Sequence, residues 1–556
     1  MTAGPSSSEP LSQGLGETSS TTPHAPPPVQ PINKEPHFPD PLEARYYYWG
    51  LPSTPFLLVR SAIKTKWEKQ YGGEAAPKVK EIRPFEPHAI QKVWEGKLAL
   101  EIIRILDSQG IEWTSIDVVR FGWSKEIPSF LTLWIGIMEP DGFDSIDVQD
   151  RQQYLRKLGA VIPICLDLLA DSYHIFDVEV EFRHSIFTKN GTLKSPSIRD
   201  KCPDAQVPLV TAVGHPISSS VIRGVGSGGF FFNVSGKRDR LLLVTARHVL
   251  FSPINNPGLY DNRDGRGPRY DVVLIGHDKA FQSYIAKVEE SSKREEAFFN
   301  RLVNRMGPPD YDTPQAMNSI HESLDKRIAL VKLRWELKKY WDPMDNRILG
   351  RILYAPPNNT EPAIRVPPPH NPDATYPDDW AVIEIDSAMI KNFDGNVLDL
   401  GTKFSDQDRF DLFSNAAAGN LDRLLELKNY IPKAEINTSL MVLKRGFGTN
   451  LTVGQIGPMD MPSYYVEYNP ERSICLKGWP ITPLPEQKPF SNVGDSGSVI
   501  VDSDGRLCGI LLGGLTRGEG SPQFITYTIP ICHLIERMKS CGFKRPNVQP
   551  SLRRRT

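Results

Sequence analysis

Apolar positions over 97–107 recur at Leu98, Ile102, Ile103 and Leu106, the spacing of one helix face. Asp177-Val178-Glu179-Val180-Glu181-Phe182 instead alternates strictly, which predicts a strand with one face on a core and the other toward solvent. Between them, the apolar run at 130–138 predicts a strand and the pattern over 152–170 a helix, so 41–200 reads as a separate α+β domain. Residues 1–40 break this patterning. They are dominated by Pro, Ser, Thr and Gly, include Pro26-Pro27-Pro28, and predict a disordered leader, because they cannot bury enough apolar surface to offset the entropy of ordering.

Beyond residue 200 the pattern shortens to brief strands separated by turn residues, as in β-sandwiches and barrels. One hairpin is predicted from 229–234 and 240–246, ending at His248; another from 498–501 and 506–512, around Asp502-Ser503-Asp504-Gly505. Leu324, Ile328, Val331 and Trp335 follow helical spacing, as do Phe299, Leu302, Val303 and Met306, so 278–345 reads as a charged helical hairpin inserted into the β pattern. A smaller helical insert is predicted over 405–430, and 546–556 is a basic tail.

Composition narrows the class. With 556 residues and 39% hydrophobic content, the chain can bury a large core and hold two or three domains. A net charge of −1, from 65 basic and 66 acidic residues, gives no overall pull toward nucleic acid or anionic membrane, and Arg553-Arg554-Arg555 is too short to change that. The first sixteen residues lack the features of a secretory signal, and the longest apolar run is far below the ~20 residues that span a bilayer. The expectation is a soluble, intracellular and cytoplasmic protein. Six cysteines lie scattered without a C-x-x-C pair or a Cys/His ligand spacing, predicting free thiols, no structural metal and no cofactor. Asp141, Asp144, Asp147 and Asp150 lack the glycine and terminal glutamate of a calcium-binding hand and read as a solvated acidic loop.

The candidate chemistry centres on Gly494-Asp495-Ser496-Gly497-Ser498, a serine between glycines just before a β-branched strand. A serine hydroxyl is a poor nucleophile at neutral pH and needs a base and an orienting acid. Val244-Thr245-Ala246-Arg247-His248 supplies a histidine at the end of an apolar strand, and Asp379-Trp380-Ala381-Val382 an acid at the head of another. Each sits at a strand–loop junction, where a sheet can aim a side chain into a cleft.

These three segments resemble the histidine, aspartate and serine motifs of the chymotrypsin/trypsin-like serine peptidases, and they stand in that order. The Gly/Thr-rich hairpin Lys444-Arg445-Gly446-Phe447-Gly448-Thr449-Asn450-Leu451-Thr452-Val453-Gly454 is similar to one in intracellular bacterial and fungal members, and the chain as a whole resembles trypsin-like proteins of mushroom-forming fungi. The resemblance covers roughly 205–545. It implies an α+β multidomain protein in which a chymotrypsin-like double β-barrel with helical inserts follows the α+β domain. It also implies a serine endopeptidase acting on a polypeptide substrate, with His248 as base, Asp379 as its orienting acid and Ser496 as nucleophile. The amides of Gly494 and Ser496 would face the developing oxyanion, a contribution worth ~3 kcal/mol of barrier. Ala381, two residues after Asp379, matches the family's spacing and favours Asp379 over Asp378. Phe490, Gly513 and Gly514 are the implied substrate-binding positions; Phe490 stands where trypsin-type pockets carry an aspartate, which argues against strong Lys/Arg selection.

Arg247 before the histidine, the absence of a bracing cysteine after it, and the 131 positions from His248 to Asp379 depart from the compact family pattern; the helical insert accounts for the last. No activation site is evident, so no Asp495 activation switch is expected. Gly224-Val225-Gly226-Ser227-Gly228-Gly229 satisfies G-x-G-x-x-G but opens into a strand, where a dinucleotide site needs a helix N-terminus. An α/β-hydrolase would require Gly-x-Ser-x-Gly and the order Ser, acid, His. The alternative to a peptidase is a catalytically silent trypsin-like module that binds peptides or scaffolds partners, with the N-terminal domain or the helical hairpin as the protein-binding surface.

Overall fold

The computed structural model describes residues 33–62, 67, 79–123, 129–138, 148–189, 212–220, 222, 224–234, 237–251, 258–275, 278–305, 314–357, 375–386, 389, 393, 395–400, 424–469, 472–484, 488–518 and 521–550. The leader's last residues belong to the fold: β1 (Asn33–His37) pairs with β2 (Leu57–Ala62), and α1 (Pro41–Tyr46) starts under an Asp40 cap. With β3 (Lys80–Arg83), β4 (Trp113–Trp123), β5 (Ser129–Ile137) and β6 (Val178–His184), they build a mixed sheet in the order β1-β2-β6-β5-β4, with β3 on β4. Only β5 and β6 run parallel there, and the crossover between them carries α3 (Val148–Asp167), which packs with α2 (Ala99–Ser108) on one face. Of the predicted acidic loop, Asp141, Asp144 and Asp147 lie outside the described residues, and Asp150 lies in the first turn of α3 rather than in a loop.

The strict alternation of β6 does not mark a solvated face. Val178, Val180 and Phe182 enter the core under the helices, while Glu179, Glu181 and Arg183 are also buried, because the segment around Tyr47 and Tyr48 covers the opposite face. Tyr47 and Tyr48 hydroxyls donate to Glu181 at 2.6 and 2.7 Å, and Lys80 Nζ lies 3.5 Å from it. Among the described residues Glu179 has no such set of donors. Burial, reinforced by the Glu181 charge, pushes its carboxyl up from 4.5 to about 8. A raised folded-state pKa means stability that is full below the unfolded value and lost as pH rises through the folded one. Thermal stability should therefore decline from about pH 4.5 toward about pH 8, and Glu179→Gln should flatten that decline in melts across this window.

The following strands are β7 (Ile186–Lys189), β8 (Pro216–Ser219), β9 (Gly226–Ser227), β10 (Phe231–Val234), β11 (Lys237–Thr245), β12 (Tyr260–Asp261), β13 (Asp271–Leu274), β14 (Ile348–Ala355) and β15 (Ala381–Ile385). All but β7 form one antiparallel sheet whose main path is β10-β11-β15-β14-β13-β8-β9. It curls, since Gly228 N–H donates to His215 O and Gly229 N–H to Val244 O. The predicted hairpin insert is α4 (Asp278–Arg305) and α5 (Pro314–Glu336), on which Leu330 and Leu333 pack toward Phe281 and Ile285. The stripe of Leu324, Ile328, Val331 and Trp335 that gave the helical reading faces outward, with Ile328 and Val331 each 58% exposed.

Beyond the small pair β16 (Val397–Asp399) and β17 (Leu424–Glu426) come β18 (Leu440–Gly446), β19 (Asn450–Ile456), β20 (Ser463–Asn469), β21 (Arg472–Pro483), β22 (Val499–Asp502), β23 (Leu507–Thr516) and β24 (Ile525–Pro530). Most of the second predicted insert, 405–423, lies outside the described residues, and its end at β17 is strand. The order β21-β19-β18-β22-β23-β24 closes on itself, because β21 also pairs with β24. The chain ends with α6 (Ile531–Ser540) and β25 (Pro546–Asn547), the latter on the β10 edge. One core joins the two strand systems, with Phe230, Val244 and Val382 packed among Val442, Ile500 and Ile510. The N-terminal sheet is continuous with the ring through β4 and β20, where Ile116 faces Tyr464, and Tyr527 donates to Asp117 at 2.7 Å. Among the described residues no helix is long and apolar enough to cross a membrane.

Candidate active site

β11 and β15 are antiparallel, with Thr245 opposite Ala381, so the residues just past β11 and just before β15 overhang the same end of the sheet. His248 lies on a short 3-10 turn three residues beyond Thr245, and Asp379 two residues before Ala381. Asp379 Oδ1 accepts the His248 backbone N–H at 2.9 Å, and Oδ2 lies 2.7 Å from His248 Nδ1. Burial would raise the Asp379 carboxyl, but His248 and Lys189 outweigh it and hold the group well below the usual carboxylate range. Asp378 is engaged elsewhere, by Arg537 of α6 at 2.8 Å and by Trp380 Nε1. Arg247 points away from the cleft, donating to the carbonyls of Pro356 and Gly258 and lying over Phe251, and so pins the turn that carries the histidine.

Ser496 lies in the loop ahead of β22, clamped by the first strand system. Ser227 N–H donates to Ser496 O at 2.8 Å, and Ser227 Oγ to Gly494 O at 2.8 Å. Gly497 has φ +86°, and a Cβ there would sit 2.3 Å from Thr245 Oγ1, so the tight contact between serine loop and histidine strand requires glycine. Gly494, at φ +97°, has the same left-handed requirement. Among the described residues the amides of Gly494 and Ser496 have no protein acceptor. Ser496 Oγ donates to Leu512 O at 2.6 Å, and the buried His248 Nε2 has no hydrogen-bond partner among the described residues. His248 and Asp379 are thus joined directly, while the serine hydroxyl is turned onto β23.

Asp495 is wholly buried and turned inward. Its Oδ1 accepts Gly448 N–H at 2.8 Å and Thr449 N–H at 3.1 Å; its Oδ2 accepts Thr449 Oγ1 at 2.7 Å and Asn492 N–H at 2.9 Å and lies 3.2 Å from the equally buried Lys444 Nζ. The Lys444 hairpin therefore sets the serine loop's conformation, and burial lowers the lysine's pKa against the pull of Asp495. Phe490 lies in the core beside this ion pair, its carbonyl accepting Thr452 Oγ1 at 2.7 Å. Gly513 and Gly514 lie on β23 opposite Lys189 and Thr188 of β7.

The sequence reading did not single out Lys444, Ser227 or Lys189. The first lay within a hairpin noted only for resemblance, the second within a glycine-rich loop, and the third in a segment too short to carry a pattern. The five described cysteines form no disulfide, and no cluster of His, Cys, Asp or Glu suited to a metal ion occurs among the described residues. No protein-family model matches the chain, and no curated protein matches it.

Proposed function

We propose that the chain is a serine endopeptidase built as two chymotrypsin-like β-barrels, acting on polypeptides inside the cell. The observation that carries this reading is the doubly bonded His248–Asp379 pair just past the strand whose Thr245 abuts Gly497 of the loop that bears the buried Ser496. Asp379 holds the imidazole with its proton on Nδ1, which leaves the unpartnered Nε2 as the base. Rotation of Ser496 Oγ from Leu512 O toward Nε2 completes the relay. The hydroxyl then attacks the peptide carbonyl, His248 passes the proton to the leaving amine, and water hydrolyses the acyl-enzyme with His248 again as base. The amides of Gly494 and Ser496, which have no acceptor among the described residues, receive the oxyanion.

The Ser496–Leu512 bond favours a second reading, a silent module that binds peptides. The two separate on cleavage of an unstructured polypeptide by the full chain. The peptidase reading expects cleavage that is lost in Ser496→Ala and in His248→Ala; cleavage surviving both substitutions, or absent from the parent, rejects it.

A further inference from the structure

Strand β23 changes partners along its length. On one edge β22 runs beside it, with Val499 opposite Ile510 and Ile500 opposite Gly509. Because β22 begins at Val499, three residues after Ser496, it provides no partner for Gly513 to Thr516. An open strand edge beside a nucleophile is a template for an extended peptide, whose backbone groups pair with the exposed N–H and C=O row.

β7 fills this edge. It runs antiparallel to β23, with Lys189 opposite Gly513, Thr188 opposite Gly514, Phe187 opposite Leu515 and Ile186 opposite Thr516. The approach depends on glycine, since a Cβ on Gly513 would lie 2.3 Å from the Thr188 carbonyl oxygen. Phe187 packs on Tyr465 and Tyr527, with ring centroids 4.2 and 5.9 Å away. Lys189 Nζ lies 2.6 Å from Glu467 Oε1 and 3.4 Å from Asp379 Oδ2. Gly513 directly follows Leu512, whose carbonyl takes Ser496 Oγ, so the lysine end of β7 is the end nearest the reacting residues.

We propose that β7 is an intramolecular pseudo-substrate, and that the site takes extended polypeptides with an aromatic residue two positions before a lysine. This rests on the peptidase reading of the same site. A peptide seated as β7 is would place its aromatic ring on Tyr465 and Tyr527 and its lysine on Glu467, and would offer Ser496 a bond on the C-terminal side of that lysine. β7 is tethered and competes at an effective concentration of about millimolar, so outside peptides bind only to the fraction of molecules from which it has withdrawn.

The test uses the full chain carrying Ser496→Ala, which removes turnover, and a fluorescein-labelled peptide with the sequence of residues 185–189, read by polarisation. Adding Lys189→Glu sets a third carboxylate against Glu467 and Asp379 and expels β7. The labelled peptide should then bind about tenfold or more tightly than to the chain that keeps Lys189. The same peptide with glutamate in place of its lysine, or alanine in place of its phenylalanine, should bind about tenfold or more weakly. Equal binding by the two chains, or no preference among the three peptides, overturns the proposal. If Lys189→Glu lowers the melting temperature, Phe187→Ala repeats the comparison without a change of charge. Phosphonate labelling of Ser496 in the parent chain reports on the peptidase reading separately. Labelling without peptide discrimination keeps the hydrolase and removes the role of β7; discrimination without labelling keeps the β7 assignment on a silent peptide-binding module.

Discussion

Asp379→Asn lowers kcat/KM for an unstructured polypeptide about ten-thousand-fold while leaving the fold in place. The carboxylate accepts two hydrogen bonds from His248, one from the backbone and one from Nδ1. An asparagine can keep the backbone bond with its oxygen, but it turns an N–H toward Nδ1. The imidazole must then carry its proton on Nε2, where it cannot accept one from Ser496. Read with a lysine-free polypeptide, which makes no ion pair with Asp379, the loss should appear in kcat, and circular dichroism should show a native spectrum. A loss below about tenfold in a folded variant would mean that Asp379 does not set the tautomer.

Lys444→Met destabilises the protein by about 3 kcal/mol or more, read as a shift of the denaturant midpoint. Lys444 and Asp495 are both fully buried, and removing one partner strands the other charge away from water. The four hydrogen bonds that Asp495 keeps, from Gly448, Thr449 twice and Asn492, place the effect toward the lower end of the range for buried pairs. Lys444→Met with Asp495→Asn should recover part of the loss, because the stranded charge is then gone. A single-variant loss below about 1 kcal/mol would show that the hydrogen bonds alone sustain Asp495.

The parts legible in the sequence were those governed by local patterning. The hairpins ending at His248 and following Ser496, and the helices of the N-terminal segment and the insert, occur in the structure where short-range periodicity placed them, within a few residues. What was not legible depends on contacts between distant segments. The alternation of β6 gave its strand but not its surroundings, because the second face is covered by Tyr47 and Tyr48 from far upstream. The outward stripe on α5 shows the same limit: spacing identifies a helix face, but packing against α4 decides which face is buried. At the site, motif spacing singled out His248, Asp379 and Ser496, whereas Lys444 and Lys189 have meaning only through partners 51 and 190 positions away, Asp495 and Asp379. The N-terminal interval, patterned as a self-contained α+β unit, shares a sheet and aromatic packing with the ring. No local signal in a four-residue strand announces that it will complete the edge beside the serine.

The most direct test of an activated serine is labelling of the folded full chain with a fluorophosphonate probe, with the modified residue mapped by mass spectrometry. The account predicts one adduct, on Ser496, absent from Ser496→Ala and strongly slowed in Asp379→Asn. A folded protein that takes no label, or one labelled equally with and without Ser496, would contradict it.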